Sequence, residues 1–296
     1  MSGAGFVVVR AGALTTVQDL GRAGYAHLGV PRSGALDVPA YRLANRLVGN
    51  DEGAAGLETT VNGCALRAER PLLVAVTGAP CPVRVDGRPA AWGAPVRVPG
   101  GAVLDVGAAT AGLRSYVAVA GGVAAEPVLG SRSADLLSGL GPAPLTDGAA
   151  VPVGPGRGAL RAAADALPYG PVGGELVLPL VPGPRDDWFA PGALTRLVAG
   201  DYAVSPASNR IGLRTTGPAL ERAAGRDGEL PSEPMVPGAV QVPPDGLPVV
   251  FLADHPTTGG YPVIGVVPET SLPAAAQSAP GSKVRFVLLR SARPAV

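Results

Sequence analysis

The stretch PVVFLADHPTTGGYPVIGVV, residues 248–267, decides how the chain folds. Residues 249–253 are a β-branched and aromatic run, and residues 263–267 are a second. Runs of this length and composition predict buried strands. Between them lies a polar loop, Asp254 to Pro262, which belongs at a barrel rim or a sheet end. Gly259 and Gly260 carry no Cβ, so backbone there can approach a ligand and turn N–H groups toward an anion. Thr257 and Thr258 add hydroxyls, Asp254 a carboxylate at the strand end, His255 an imidazole and Tyr261 a phenol. The alternative is a plain hairpin whose Gly-rich turn is capped by Asp254.

Composition sets the frame. A chain of 296 residues can hold one large domain or two ordinary ones. Hydrophobic residues at 47% and charged residues at 16% exclude a disordered chain. Gly and Pro, 43 and 33 in number, punctuate short apolar runs, which predicts an all-β sandwich or barrel. A formal charge of +1 gives no reason to expect nucleic acid or a membrane surface as partner. Lys283 is the only lysine, and no phosphate-binding Gly-Lys-Ser/Thr loop surrounds it. His27 and His255 are the only histidines and Cys64 and Cys81 the only cysteines, in no zinc-ligand spacing, so no metal is expected. Two cysteines fit a reducing compartment but also allow one disulfide. No basic-apolar leader pattern opens the sequence and no apolar run is long enough to span a bilayer, so the expected location is cytoplasmic.

Along the chain, residues 6–9 read as a strand. Residues 15–30 read as an ordered loop in which Gln18, Asp19, Arg22 and His27 either line a site or satisfy loop backbone groups. Residues 37–50 are the clearest helix, with Asp37 as N-cap, Pro39 in the first turn, Leu43 and Leu47 on one face and Gly49 at C′. Glu58 stands among apolar neighbours in a strand, so it needs an arginine or a ligand as partner. Residues 72–122 are strand after strand, with Asp86-Gly87 as a tight hairpin turn. Residues 130–135, GSRSAD, offer hydroxyls, Arg132 and an N-cap before an expected short helix through Leu137, which is either an anion site or an ordinary capped turn.

Residues 153–171 read as a linker. Residues 154–159 match a loose dinucleotide fingerprint, with Glu175 beyond, but Pro155 sits in the turn and no βαβ alternation surrounds it. The expected domains are therefore 1–160 and 161–296. In the second, Arg210 and Arg214 lie in a strand-and-turn segment, and Gln241 sits on a short strand where its amide can bond in two directions. Residues 283–289 are the last strand.

Taken together, GRAGYAHLGVPRSGALD, ANRLVGN, GLETTVNG, GSRSADLL, SNRIGLR, GAVQVPPDGLPVVFLADHPTTGGYP and AQSAPGSKVRF resemble, in order and over nearly the whole chain, the biotin-dependent carboxyltransferase-like family. That family is also called allophanate hydrolase subunit 2 or the antagonist of the KipI inhibitor. Ala134 stands where the family pattern has threonine. The resemblance implies a mainly β protein of two cyclophilin-like β-barrel domains with a few short helices. It implies the C subunit of a hetero-oligomeric, ATP-dependent 5-oxoprolinase, with a KipI-type B subunit and an A subunit. ATP would be shared with those partners.

Three functions follow as alternatives. As a lactam-hydrolase subunit, inactive alone, the chain would hold 5-oxoproline for conversion to glutamate. Asp254 and Gln241 would be the catalytic pair, and Arg132, Arg210, Arg214, Thr257, Thr258, Gly259, Gly260, Tyr261, Glu58 and His27 would bind substrate. As a urea-type carboxyltransferase it would need biotin from a partner, since this chain carries no biotin attachment motif. As a regulator it would antagonise a kinase inhibitor without catalysis.

Overall fold

The computed structural model describes residues 4–155, 174–226, 228 and 230–289. The expected boundary at 160/161, most of the linker and most of the dinucleotide-like run lie outside the described residues. By their contacts, Met1–Ala23 with Ser33–Val172 form one compact unit, and Gly24–Arg32 with Gly173–Val296 form a second. Nothing in the sequence predicts that residues 24–32 leave the first unit.

The first unit consists of two antiparallel sheets. Its strands are β1 (Ala4–Arg10), β2 (Leu14–Gln18), β3 (Gly56–Thr60), β4 (Cys64–Ala68), β5 (Leu72–Gly78) and β6 (Val83–Val85). They continue with β7 (Arg88–Ala90), β8 (Pro95–Val98), β9 (Val103–Val106), β10 (Arg114–Val119) and β11 (Ala150–Pro152). One sheet runs β11-β1-β4-β9-β6-β7 and the other β2-β3-β10-β5-β8. Phe6, Leu66 and Leu104 of the first meet Leu57, Val74, Val117 and Val119 of the second in one core.

Helix α1 (Val38–Leu47) covers the other face of β5 and β10, where Tyr41, Leu43 and Leu47 pack on Ala75, Tyr116 and Ala118. Strand β10 is thus buried on both faces, which explains its continuous apolar run from Tyr116 to Val119. Asp37 caps α1 by accepting from Ala40 N at 3.1 Å, worth about 1 kcal/mol. Gly49, at φ 75°, ends it as expected. Asp86 and Gly87 both have positive φ, 49° and 75°, as a two-residue hairpin turn requires. The loop expected over residues 15–30 differs at its start, because residues 14–18 pair with β3 as strand β2. The short helix expected through Leu137 does not form. Asp135 Oδ1 instead accepts from Leu137 N and Ser138 N and closes a turn.

The second unit is a closed barrel. Its strands are β12 (Leu176–Pro182), β13 (Tyr202–Val204), β14 (Gly212–Thr216), β15 (Glu233–Pro234), β16 (Ala239–Gln241), β17 (Val249–Phe251), β18 (Thr258–Gly259), β19 (Val263–Val266) and β20 (Lys283–Leu288). The barrel order is β12-β19-β16-β17-β14-β13-β20, and β15 with β18 form a separate ribbon. Strand β20 closes the ring parallel to β12, from Leu176 opposite Val284 to Leu180 opposite Leu288. Helices α2 (Ala193–Ala199) and α3 (Leu272–Ala276), too short to leave a clear periodic pattern in the sequence, complete the unit.

The two apolar runs of the opening stretch are β17 and β19, and they are not hairpin partners. Strand β16 lies between them and pairs with both. Val240, Val250 and Ile264 are fully buried, while Ala239, Val249, Phe251 and Val263 cluster under Met235. Both faces are covered, so the sequence shows no alternation there. The loop from Leu252 to Pro262 must cross the end of an intervening strand, which accounts for its length.

Among the described residues no helix is long and apolar enough to cross a membrane, and no three His, Cys, Asp or Glu side chains gather as a metal site. Cys64 and Cys81 are both free and buried, so no disulfide forms.

Candidate functional site

In the second unit the Asp254–Tyr261 loop rests on a buried ion pair. The turn before β14 is shaped by Asn209, whose Oδ1 accepts from Ile211 N at 2.8 Å. That turn sends Arg210 inward. Its Nε and Nη2 each lie 2.9 Å from one oxygen of Asp254, a two-pronged pair. Arg210 is 1% exposed and Asp254 0%. The backbone doubles the tie, with Asp254 N donating to Arg210 O at 3.1 Å. Asp254, expected to present its carboxylate to substrate, is instead engaged with Arg210 and buried at the base of the loop. Arg210, expected to bind an anion, already holds one in Asp254.

His255 follows Asp254 and is also buried, with its ring stacked on Phe251 at 5.7 Å and 11°. Its Nδ1 donates to the Pro256 carbonyl at 2.7 Å, which fixes the ring. The glycines come next. Gly259 pairs with Glu233 in the ribbon, and Met235 N donates to Thr257 O and Leu230 N to Gly260 O, both at 2.9 Å. A Cβ on Gly259 would sit 2.7 Å from Gln241 Nε2 and 3.1 Å from Met235 Cε. Glycine is required there by close approach to Gln241. Gln241 donates to the Tyr261 carbonyl at 3.1 Å, so the amide expected to grip substrate also holds the loop. Thr257, Gly259, Gly260 and Tyr261 are half-buried and Thr258 is exposed, so this rim remains open to a ligand. Gly29, two residues after His27, packs toward Thr257 Oγ1, and His27 itself is exposed on a short 3-10 turn.

The ribbon is braced by Arg185 Nη2 and Nε on Glu233. Arg185 holds the Glu233 carboxyl below the usual glutamate range. Arg214 stands apart on β14 with its side chain exposed on the outside of the barrel.

The remaining expected residues belong to the first unit. Glu58 finds the arginine alternative, since Arg114 lies 3.7 Å away and Leu36 N donates to it at 3.0 Å. Both side chains are buried, and Glu58 supports the β3–β10 sheet and the entry to α1. The neighbouring Tyr116 phenol is pushed well above its usual pKa by burial and then by the Glu58 and Asp37 carboxylates. Arg132 Nε is tied to Ala125 O at 2.6 Å. The Ser-Arg-Ser run is gathered on Asp19, whose carboxylate accepts from Ser131 Oγ, Ser133 Oγ, Gly21 N and Arg132 N. Those hydroxyls hold the loop together, which is the capped-turn alternative.

The chain belongs to the family described as carboxyltransferase domain, subdomain A and B, whose model matches residues 28–288. It is 38% identical over 283 residues to the C subunit of 5-oxoprolinase from Escherichia coli K12, covering 95% of this chain and 90% of that one. It is 32% identical over 307 residues to the urea amidolyase of Lachancea kluyveri, covering 95% of this chain but 17% of that one. The crystal structure of Kluyveromyces lactis urea carboxylase superposes with a TM-score of 0.89 at 30% identity, over 98% of this chain and 28% of that one.

Proposed function

We propose that this chain is the C subunit of an ATP-dependent 5-oxoprolinase, which opens 5-oxo-L-proline to L-glutamate with ATP cleavage. The observation that carries the reading is the end-to-end match to a 5-oxoprolinase C subunit, which spans nearly the whole of both chains. The chain's part is recognition and positioning. Thr257, Thr258, Gly259 and Tyr261 form the rim, Gln241 sets its height, and the Arg210–Asp254 pair fixes its base. Cleavage of a lactam by ATP and water needs a nucleotide site and a group that activates water. Those functions fall to a KipI-type B subunit and an A subunit, with ATP held by or between them. Two buried free thiols fit a cytoplasmic complex.

The test is a coupled ATPase assay with each subunit omitted in turn. The complete set should release ADP and glutamate in proportion, and the isolated chain should release neither. Robust turnover by the chain alone would refute the subunit reading. The urea amidolyase relatives favour a second reading, a carboxyltransferase acting on biotin carried by a partner. Urea-dependent, biotin-dependent ATP cleavage in the same assay would select it.

A further inference from the structure

Among the buried side-chain atoms of the described residues that have no hydrogen-bond partner, two in the first unit lie close together in sequence and are of opposite kind. Gln18 Oε1 is an acceptor and Arg22 Nη1 is a donor. Gln18 is 0% and Arg22 2% exposed. The Gln18 amide cannot turn over to hide its oxygen. Its Nε2 donates to Ala134 O at 3.0 Å and Thr16 Oγ1 at 2.9 Å, and a carbonyl accepts only. Arg22 donates from Nη2 to Ser133 O and, at a long 3.4 Å, from Nε to Val128 O. It forms no ion pair among the described residues. A buried guanidinium bonded only to neutral carbonyls is a cation without a counter-anion, which is costly.

The two side chains are anchored on the adjacent carbonyls of Ser133 and Ala134, so the orphan donor and acceptor belong to one small region. Ser33 Oγ bonds to the same Ala134 carbonyl at 3.0 Å, and Ser33 holds a positive φ of 55°, a conformation that non-glycine residues adopt at a cost. Asp19, next in sequence to Gln18, is engaged with Ser131 and Ser133.

We infer that Gln18 and Arg22 form a binding site for a small molecule that carries an N–H beside a carboxylate. The carboxylate accepts from Arg22 Nη1, and the N–H donates to Gln18 Oε1. On the proposed function, on which this assignment rests for its ligand, 5-oxoproline has that pattern in its ring N–H and adjoining carboxylate. Urea has the N–H but no anion. Entry requires the turn over Arg22 to lift. That turn is held by the reciprocal Val128–Ser131 bridge, and it contains Leu129, 37% exposed at a positive φ of 52°.

The experiment has two arms. Calorimetric titration of the full-length chain uses 5-oxo-L-proline, its N-methyl derivative, its carboxamide and urea. Native protein should bind the first, and the others should be at least about tenfold weaker. In the reconstituted complex, Arg22→Lys and Gln18→Met should each raise KM for 5-oxoproline about tenfold or more with kcat little changed. If those variants fail to fold by circular dichroism, a crystal of native protein soaked with 5-oxoproline decides, with the ligand expected on Gln18 Oε1 and Arg22 Nη1. Equal affinity for all four compounds, or no affinity for any, overturns the assignment. So does a 5-oxoproline-soaked crystal with only a water bridging Gln18 and Arg22. A complex that turns over 5-oxoproline with both folded variants at unchanged KM refutes the site and leaves the proposed function standing. A native complex with no 5-oxoproline-dependent turnover refutes the function, and calorimetry on the chain then still decides the site.

Discussion

Asp254→Asn separates a structural carboxylate from a reacting one. The substitution keeps the side-chain volume and removes the charge. Arg210, 1% exposed, is left beside a neutral amide. Two charge-assisted bonds of 2.9 Å weaken together, one at each carboxylate oxygen. Removing one partner of a buried pair costs about 3–5 kcal/mol, most of it the penalty for the charge left behind. For a unit of this size that corresponds to a fall in melting temperature of roughly 10–20 °C. Trp188 lies in the second unit and Trp92 in the first, so fluorescence in a Trp92→Phe background follows the barrel alone. Replacing both partners with apolar residues, Arg210→Met with Asp254→Leu, should recover most of the loss, because two apolar side chains leave no stranded charge. A single Asp254→Asn variant that melts with the native barrel while losing all turnover would refute this. Asp254 would then be a reacting group.

Gly259→Ala should push Gln241 and Met235 away from the loop and lower kcat of the reconstituted complex more than it lowers stability, as read from steady-state kinetics beside a thermal melt. Glu233 has its folded pKa depressed by Arg185, so its stabilisation is present above the ordinary glutamate pKa and disappears as pH falls through the depressed value. Hydrogen-exchange protection of residues 257–260 should accordingly drop in acid and in high salt, and Glu233→Gln should abolish both dependences. Burial pushes the Cys64 thiol up to about 12, so it should resist aromatic disulfide reagents until the first unit unfolds. Prompt labelling of the native chain at Cys64 would contradict its 0% exposure.

What the sequence shows clearly is what local chemistry decides. Asp37, Pro39 and Gly49 mark α1 because caps act within one turn, and Asp86-Gly87 marks a hairpin because only a few residues tolerate positive φ twice. The two runs flanking the Thr-Thr-Gly-Gly loop are legible as strands but not as non-partners. Their pairing with β16 joins Val240 to Val250 on one side but Ala239 to the more distant Val266 on the other, and adjacency in sequence argues for the simpler hairpin. The candidate site shows the same limit. Gly259 and Gln241 could be singled out by type, yet Arg210 and Asp254 look equally free for a ligand until the fold brings them together. Glu58 is legible as a residue needing a partner, and the structure supplies Arg114. Arg22 carries no local signal that distinguishes it from the other arginines. Its lack of a counter-ion is a property of the packed interior alone.

The parallel pairing of β12 with β20 bears on how the second unit is made by a ribosome. Leu176 cannot meet Val284 until nearly all of the unit has been synthesised. The antiparallel pairs β14–β17 and β16–β17 join residues closer in sequence and can form earlier. During that interval β12 and β13 each hold only one of the two neighbours they have in the closed barrel, and β12 exposes both an apolar face and an unpaired edge. The nascent barrel is then an incomplete sheet prone to pairing with other chains. Yield of the folded protein should therefore depend on whatever shields that edge during translation, whether a chaperone or a partner made alongside it.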